Sequence, residues 1–217
     1  MSTSPITLHG YYRSSASFRV RIALGLKGLA YEDIFHHLRR GEQRSDDYLK
    51  LNPQGLVPTL TTNGLRITQS LAIVEYLDEV FPTPALLPST PQARALARAL
   101  AQIIACDIHP IDNLRVLNYL RAPLNQTEEA VKAWYNHWIT EGLAAFETLL
   151  SQNPGHGRFC VDDTPGLADI CLVPQVVNAA NFKLDLSPFP RILKIYDACM
   201  TLDAFRHAHP AQQPDAE

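Results

Sequence analysis

A chain of 217 residues, 46% hydrophobic, can bury one large core or two small ones, and its net charge of −3 leaves no basic footprint for nucleic acid. No run of about 18 apolar residues appears, which argues against a membrane-spanning helix, and Met1–Pro5 lacks a signal-peptide pattern. The four cysteines, Cys106, Cys160, Cys171 and Cys199, fit neither a zinc site nor a compact disulfide framework; they read as reduced, buried thiols of a cytoplasmic protein with no metal.

Ile6–Gly10 is a short apolar strand. Tyr12-Arg13-Ser14-Ser15-Ala16 joins it to an amphipathic helix over Ser17–Lys27, where Phe18, Ile22 and Leu26 recur at spacing four and Gly28 follows the last turn. A strand that feeds a helix N-terminus presents free N–H groups and the positive end of the helix dipole, which together suit an anion. A hydroxyl there can donate to a thiolate and lower a thiol pKa from its ordinary value of about 8.5. The first 105 residues contain no cysteine, so that thiol belongs to a ligand. Ser17 reads as a cap or a solvent-facing residue.

Ala30–Phe35 is a second strand, and a right-handed crossover makes it parallel to the first. Asp46–Lys50 is a short helix at most. Pro58–Thr61 and Leu65–Ile67 form a hairpin through Asn63-Gly64, and Ser70–Val80 is a helix. Four prolines, Pro82, Pro84, Pro88 and Pro91, mark a boundary. Beyond it the period is helical: 92–120, kinked near Pro110, then 127–152 with Thr127 as cap, 167–181 and 191–200. The order predicts an α/β domain over 1–82 and an all-α domain over 92–217.

This order of elements, with Val57-Pro58 before the third strand and Gln69-Ser70 before the next helix, resembles the glutathione transferase family over essentially the whole chain. Ser14-Ser15-Ala16-Ser17 followed by Arg19-Val20-Arg21-Ile22-Ala23-Leu24 is similar to its zeta class, the class that includes the maleylacetoacetate isomerases. Leu51–Pro58, Gln69–Ile73, Leu172–Gln175 and Gln213-Pro214-Asp215 are similar to it as well. The resemblance implies a thioredoxin-like, glutathione-binding domain over 1–82, a helical substrate-binding and dimerisation domain over 92–217, glutathione as cofactor and a homodimer.

It also implies site roles, each with a plainer alternative. Ser14 hydrogen-bonds the glutathione sulfur, where spacing alone favours an ordinary N-cap, and Ser15 supports or replaces it. Pro58 is cis, so that Val57 offers its backbone to the cysteinyl part of glutathione as an added strand would. Gln69 and Ser70 hold the γ-glutamyl carboxylate, and Gln43 the glycyl end. Asp107 and His109 reach toward a partner's glutathione, or are a pair beside a proline kink. Arg13, Asn113 and Arg115 bind the substrate; for Arg115 a solvated surface arginine is an equal reading. Ala16 stands where many relatives carry cysteine, and Asn181 where they often carry an arginine, which weakens a carboxylate site there. Gly166 takes the N-cap position, with Asp169 three residues on.

The implied activity is glutathione-dependent conversion of maleylacetoacetate to fumarylacetoacetate in aromatic-ring catabolism, by thiolate addition, rotation and elimination. Maleylpyruvate isomerisation, a general transferase or dehalogenase, and a non-catalytic interaction module are the alternatives. Retention of Ser14, Pro58 and Gln69-Ser70 argues against the last.

Overall fold

The computed structural model describes residues 5–153, 155 and 157–217; most of the N-terminal segment read for a signal peptide, Met1–Ser4, lies outside them. Two compact units emerge, one formed by residues 1–86 together with 200–217 and the other by 87–199. Residues 200–217 thus group with the first unit rather than with the helices they follow.

The first unit holds a four-stranded sheet in the order β2-β1-β3-β4. Its strands are β1 (Thr7–Gly10), β2 (Glu32–Phe35), β3 (Thr59–Thr62) and β4 (Leu65–Thr68). As predicted, β2 runs parallel to β1, with Thr7 opposite Glu32, and β3 runs antiparallel to it, with His9 opposite Thr59. The β3–β4 hairpin turns at Asn63 and Gly64, with φ of 51° and 75°, the left-handed pair that a two-residue turn demands.

Helix α1 (Ser15–Leu26) starts two residues earlier than its periodicity predicts and packs on α3 (Ser70–Val80) and on α9 (Asp203–Ala208). It is buried nearly all round: Arg19 and Arg21 are as enclosed as Phe18, Ile22 and Leu24. Gly28, at φ 63°, closes it. The Lys27 ammonium is buried with three acceptors, Asp78 Oδ1 at 2.6 Å and the carbonyls of Phe81 and Pro84. Helix α2 (Asp46–Leu51) is a short helix capped by Ser45.

The second unit is all-helical: α4 (Pro91–Gln102), α5 (Leu114–Arg121), α6 (Glu128–Gln152), α7 (Leu167–Asn181) and α8 (Pro190–Met200). The single helix predicted over 92–120 is broken. A π-helical turn occupies Ile103–Ile108, and α5 restarts at Leu114 under an Asn113 cap. Opposite the break, on α6, a Cβ on Gly142 would lie 2.4 Å from Ile108 Cδ1, so glycine there leaves room for the Ile108 side chain. The cap of α7 follows the Gly166–Asp169 reading: the Asp169 carboxylate accepts from the N–H of Gly166 and of Cys160, both at 2.9 Å. Cys160, Cys171 and Cys199 are buried as expected, whereas Cys106 is exposed. An α/β sheet unit and an all-helical unit together match the predicted fold class, and no helix among the described residues is long and apolar enough to cross a membrane.

Candidate active site

The turn between β1 and α1 carries Arg13, Ser14 and Ser15. Ser14 has extended backbone, φ −70° and ψ 114°, and its Oγ accepts the N–H of Ser17 at 3.1 Å. It is therefore an N-cap. That does not exclude a role toward sulfur, since a hydroxyl accepts and donates at once, and the Ser14 proton is not used by the cap. Arg13 is exposed beside it, Ser14 is half-buried and Ser15 is buried in the first turn. Ser17, expected to cap or to face solvent, is instead fully buried; a Cβ on Gly10 would sit 3.4 Å from its Oγ.

The pairing of His9 with Thr59 sets the chain leaving β1 beside the chain entering β3, which brings Val57-Pro58 next to this turn. The Val57-Pro58 bond is cis, as is Thr83-Pro84, which the sequence did not announce. Val57 is buried in a cluster with Tyr11, Tyr12 and Tyr48. The carbonyl of Leu56, one residue earlier, accepts from Tyr48 Oη and from Asn52 Nδ2, both at 2.7 Å. The sequence does not single out Tyr48 and Asn52, although a tyrosine inside a short helix and an asparagine just past its end were the available signal.

At the start of α3, Gln69 has φ 70° and ψ 116°, a conformation that side-chain-bearing residues rarely adopt. No side chain caps this helix among the described residues; the Gln69 amide instead donates to Gln54 Oε1 at 2.9 Å. Ser70 is buried, and its Oγ accepts from Arg19 Nη1 at 3.2 Å. Arg19, 2% exposed, was quoted from sequence only as part of a motif; a guanidinium inside an apolar helix face is the signal that marks it. Gln43 lies in a 3₁₀ turn, Glu42–Arg44, and its buried Oε1 has no hydrogen-bond partner among the described residues.

Ser14, Val57, Gln69 and Ser70 are thus held by one scaffold of sheet, α1 and α3. The remaining candidates belong to the second unit. Asp107, exposed, lies in the π turn, and His109, half-buried, follows it. Asn113 caps α5 by accepting the Arg115 N–H at 3.1 Å, and Arg115 is exposed. Between them Asp112 was not anticipated: burial pushes its carboxyl up to about 7, and neither oxygen has a partner among the described residues. Asn181 is the exposed last residue of α7, beside Phe182, whose ring stacks on Tyr135 at 3.7 Å.

A family described as the glutathione S-transferase N-terminal domain matches residues 4–79. The maleylacetoacetate isomerase of Pseudomonas aeruginosa is 49% identical over 96% of this chain and 97% of its own. A holo structure of a maleylpyruvate isomerase, described as a bacterial zeta-class glutathione S-transferase, superimposes with a TM-score of 0.95 at 49% identity, covering 97% of this chain and 100% of that one. A maleylacetoacetate isomerase from Methylobacterium extorquens, holding malonate and glutathione, also reaches 0.95, at 43% identity over 97% and 99% of the two chains.

Proposed function

The chain belongs to the glutathione transferase family, in its zeta class, and from that membership we propose that it is a glutathione-dependent isomerase converting maleylacetoacetate to fumarylacetoacetate. Glutathione, as co-substrate, supplies a thiolate that adds to the cis double bond, permits rotation and leaves again to give the trans isomer.

The residues fit such a ligand. Ser14 keeps a hydroxyl proton to donate toward the sulfur, which favours the thiolate, and Ser15 stands next in line. Val57 pairs its backbone with the cysteinyl part. Gln69 and Ser70 take the γ-glutamyl carboxylate, with Ser70 polarised by Arg19. Gln43 takes the glycyl end, its side-chain amide N–H donating to the carboxylate. In a homodimer, Asp107 and His109 reach the glutathione of the partner subunit. Arg13, Asn113 and Arg115 bind the substrate carboxylates, and Arg13 offsets the charge that develops on the substrate oxygen. With Asn181 where relatives often carry an arginine, the positive charge for the substrate carboxylates comes from Arg13 and Arg115. Residues 1–82, joined by 200–217, form the glutathione-binding domain, the helices between 92 and 199 the substrate and dimer domain, and the enzyme works in the cytoplasm.

The observation that carries the reading is the Ser14 hydroxyl at the N-terminus of α1, which accepts a bond but donates none among the described residues. A second reading, maleylpyruvate as substrate, is favoured by the equal 49% identity to relatives of both names. Turnover of both substrates, with and without glutathione, tests the proposal for the wild type and Ser14→Ala. We expect glutathione-dependent isomerisation faster on maleylacetoacetate and about 100-fold slower in the variant. Turnover without glutathione, or an unchanged variant, overturns it; faster maleylpyruvate turnover selects the second reading.

A further inference from the structure

We infer that Asp215 is a positioning residue for the chemistry: its carboxylate fixes the peptide turn that aims the Ser14 hydroxyl. The inference rests on the role proposed above for Ser14.

Two charged residues from distant segments hold this turn. The N–H of Tyr12 donates to Asp215 Oδ2 at 2.9 Å. Arg21, 3% exposed, donates Nη2 to the Tyr12 carbonyl at 3.0 Å and Nη1 to the Tyr11 carbonyl at 3.4 Å. The Tyr11 carbonyl also accepts the N–H of Ser14 itself, at 3.0 Å. Both faces of the Tyr12 residue are thus pinned, its donor by an anion and its acceptor by a cation, two residues before Ser14. Arg21 is in turn anchored by donating Nε to the Ala208 carbonyl at 3.1 Å.

The segment that delivers Asp215 is itself fastened. Gln213 Nε2 donates to the carbonyls of His207 and His209, at 2.7 and 3.0 Å. At the far end Glu217 Oε1 meets Arg40 Nη2 at 3.2 Å and His37 Nε2 at 3.1 Å. Residues 210–217 therefore form a strap across the loops that follow β1 and β2. A charged acceptor makes a stronger bond to a backbone N–H than a neutral one. A donor that must meet a single sulfur tolerates little displacement; misplacing a reacting group by about 1 Å can cost about 100-fold in rate.

The test compares wild type, Asp215→Ala, Asp215→Asn, Asp215→Glu and Ser14→Ala in three readouts. These are hydrogen exchange of the Tyr12 amide without glutathione, the ultraviolet titration of the bound glutathione thiol, and kcat with the KM for glutathione. Asp215→Ala is expected to speed Tyr12 exchange, move the bound thiol toward its free pKa of about 8.5, and lower kcat about tenfold to 100-fold with KM changed far less. Asp215→Asn keeps an acceptor and restores most of this. Asp215→Glu keeps the charge on a longer arm, separates placement from charge, and serves if the alanine variant does not fold; it is expected to lower kcat as well. Faster Tyr12 exchange with unchanged thiol titration and kcat makes Asp215 merely structural and overturns the inference, as does unchanged exchange. If Ser14→Ala leaves titration and kcat unchanged, the reading of Ser14 itself fails and the inference falls with it. If only the Asp215 variants do so, the inference alone fails.

Discussion

Two helix N-termini in the first unit meet a similar task with opposite local solutions. Helix α1 begins on relaxed backbone and is capped by its own residue: Ser14 Oγ takes the Ser17 N–H. Helix α3 begins at Gln69, held at φ 70°, with no side-chain cap among the described residues and with a buried guanidinium on Ser70. A capped N-terminus has spent an amide on itself and has one hydroxyl proton left to give, which suits a single sulfur. An uncapped one keeps amides and a hydroxyl together and adds a cation behind them, which suits a carboxylate. In the proposed function, the relaxed arrangement serves the reacting end and the strained one the holding end.

The sharpest way to break this comparison is to remove each hydroxyl. Ser70→Ala should weaken glutathione binding about tenfold to thirtyfold, or about 1.5–2 kcal/mol, with kcat at saturating glutathione within about threefold of wild type. Calorimetric titration alongside steady-state kinetics reads both, and Ser14→Ala should show the reverse split. If both variants move the same parameter, the two ends do not differ in role.

A second test uses pH. Burial pushes the Asp33 carboxyl up to about 6, with Arg21 pulling it down and Asp215 pushing it further up; Tyr31 is the other titratable group nearby. This cluster backs the first N-terminus. A raised carboxyl binds its proton more tightly when folded, so its contribution is fully present below about pH 4 and is lost as pH climbs through 6. Asp33→Asn should remove that loss and gain about 1–2 kcal/mol on wild type between pH 4 and 7 in urea unfolding, after allowance for partial exposure. Asp112 keeps its own pH dependence in both proteins, so the difference curve isolates Asp33. A flat difference would show that Asp33 is not held as described.

The smallest effect is expected at Gln69. Gln69→Gly relieves a backbone that costs about 1–3 kcal/mol, less the entropy glycine adds to the unfolded chain, for a net stabilisation of about 1 kcal/mol. It should nonetheless weaken glutathione binding, since the side chain that reaches Gln54 is gone. A thermal melt together with a binding curve checks the opposed signs; a variant both stabler and tighter-binding would place the strain outside the site.

Much of this was legible locally. The bounds of α3 and α7, the Asn63-Gly64 turn and the Thr127 cap follow from periodicity and turn chemistry, which act over a few residues. What was not legible depends on partners far along the chain. The apolar rhythm runs on through Ile103, Ile104 and Ile108, so nothing in it reveals the π turn; Gly142, on another helix, leaves room for the Ile108 side chain. The bond from Tyr12 to Asp215 spans 203 residues, and α9 is too short for its period to be read. Arg19 sat in plain view inside a motif, but its partner Ser70 is 51 residues away.

Because residues 200–217 complete the first unit, its folding is out of step with its synthesis. The sheet and α1 leave the ribosome early, but the anion that secures Tyr12 is made only after the whole helical unit. At about 5–20 residues per second that interval is roughly seven to thirty seconds. During it, the nascent protein carries Ser14 on a turn with one side unfastened, and the proposed thiolate site is complete only after Asp215 has emerged.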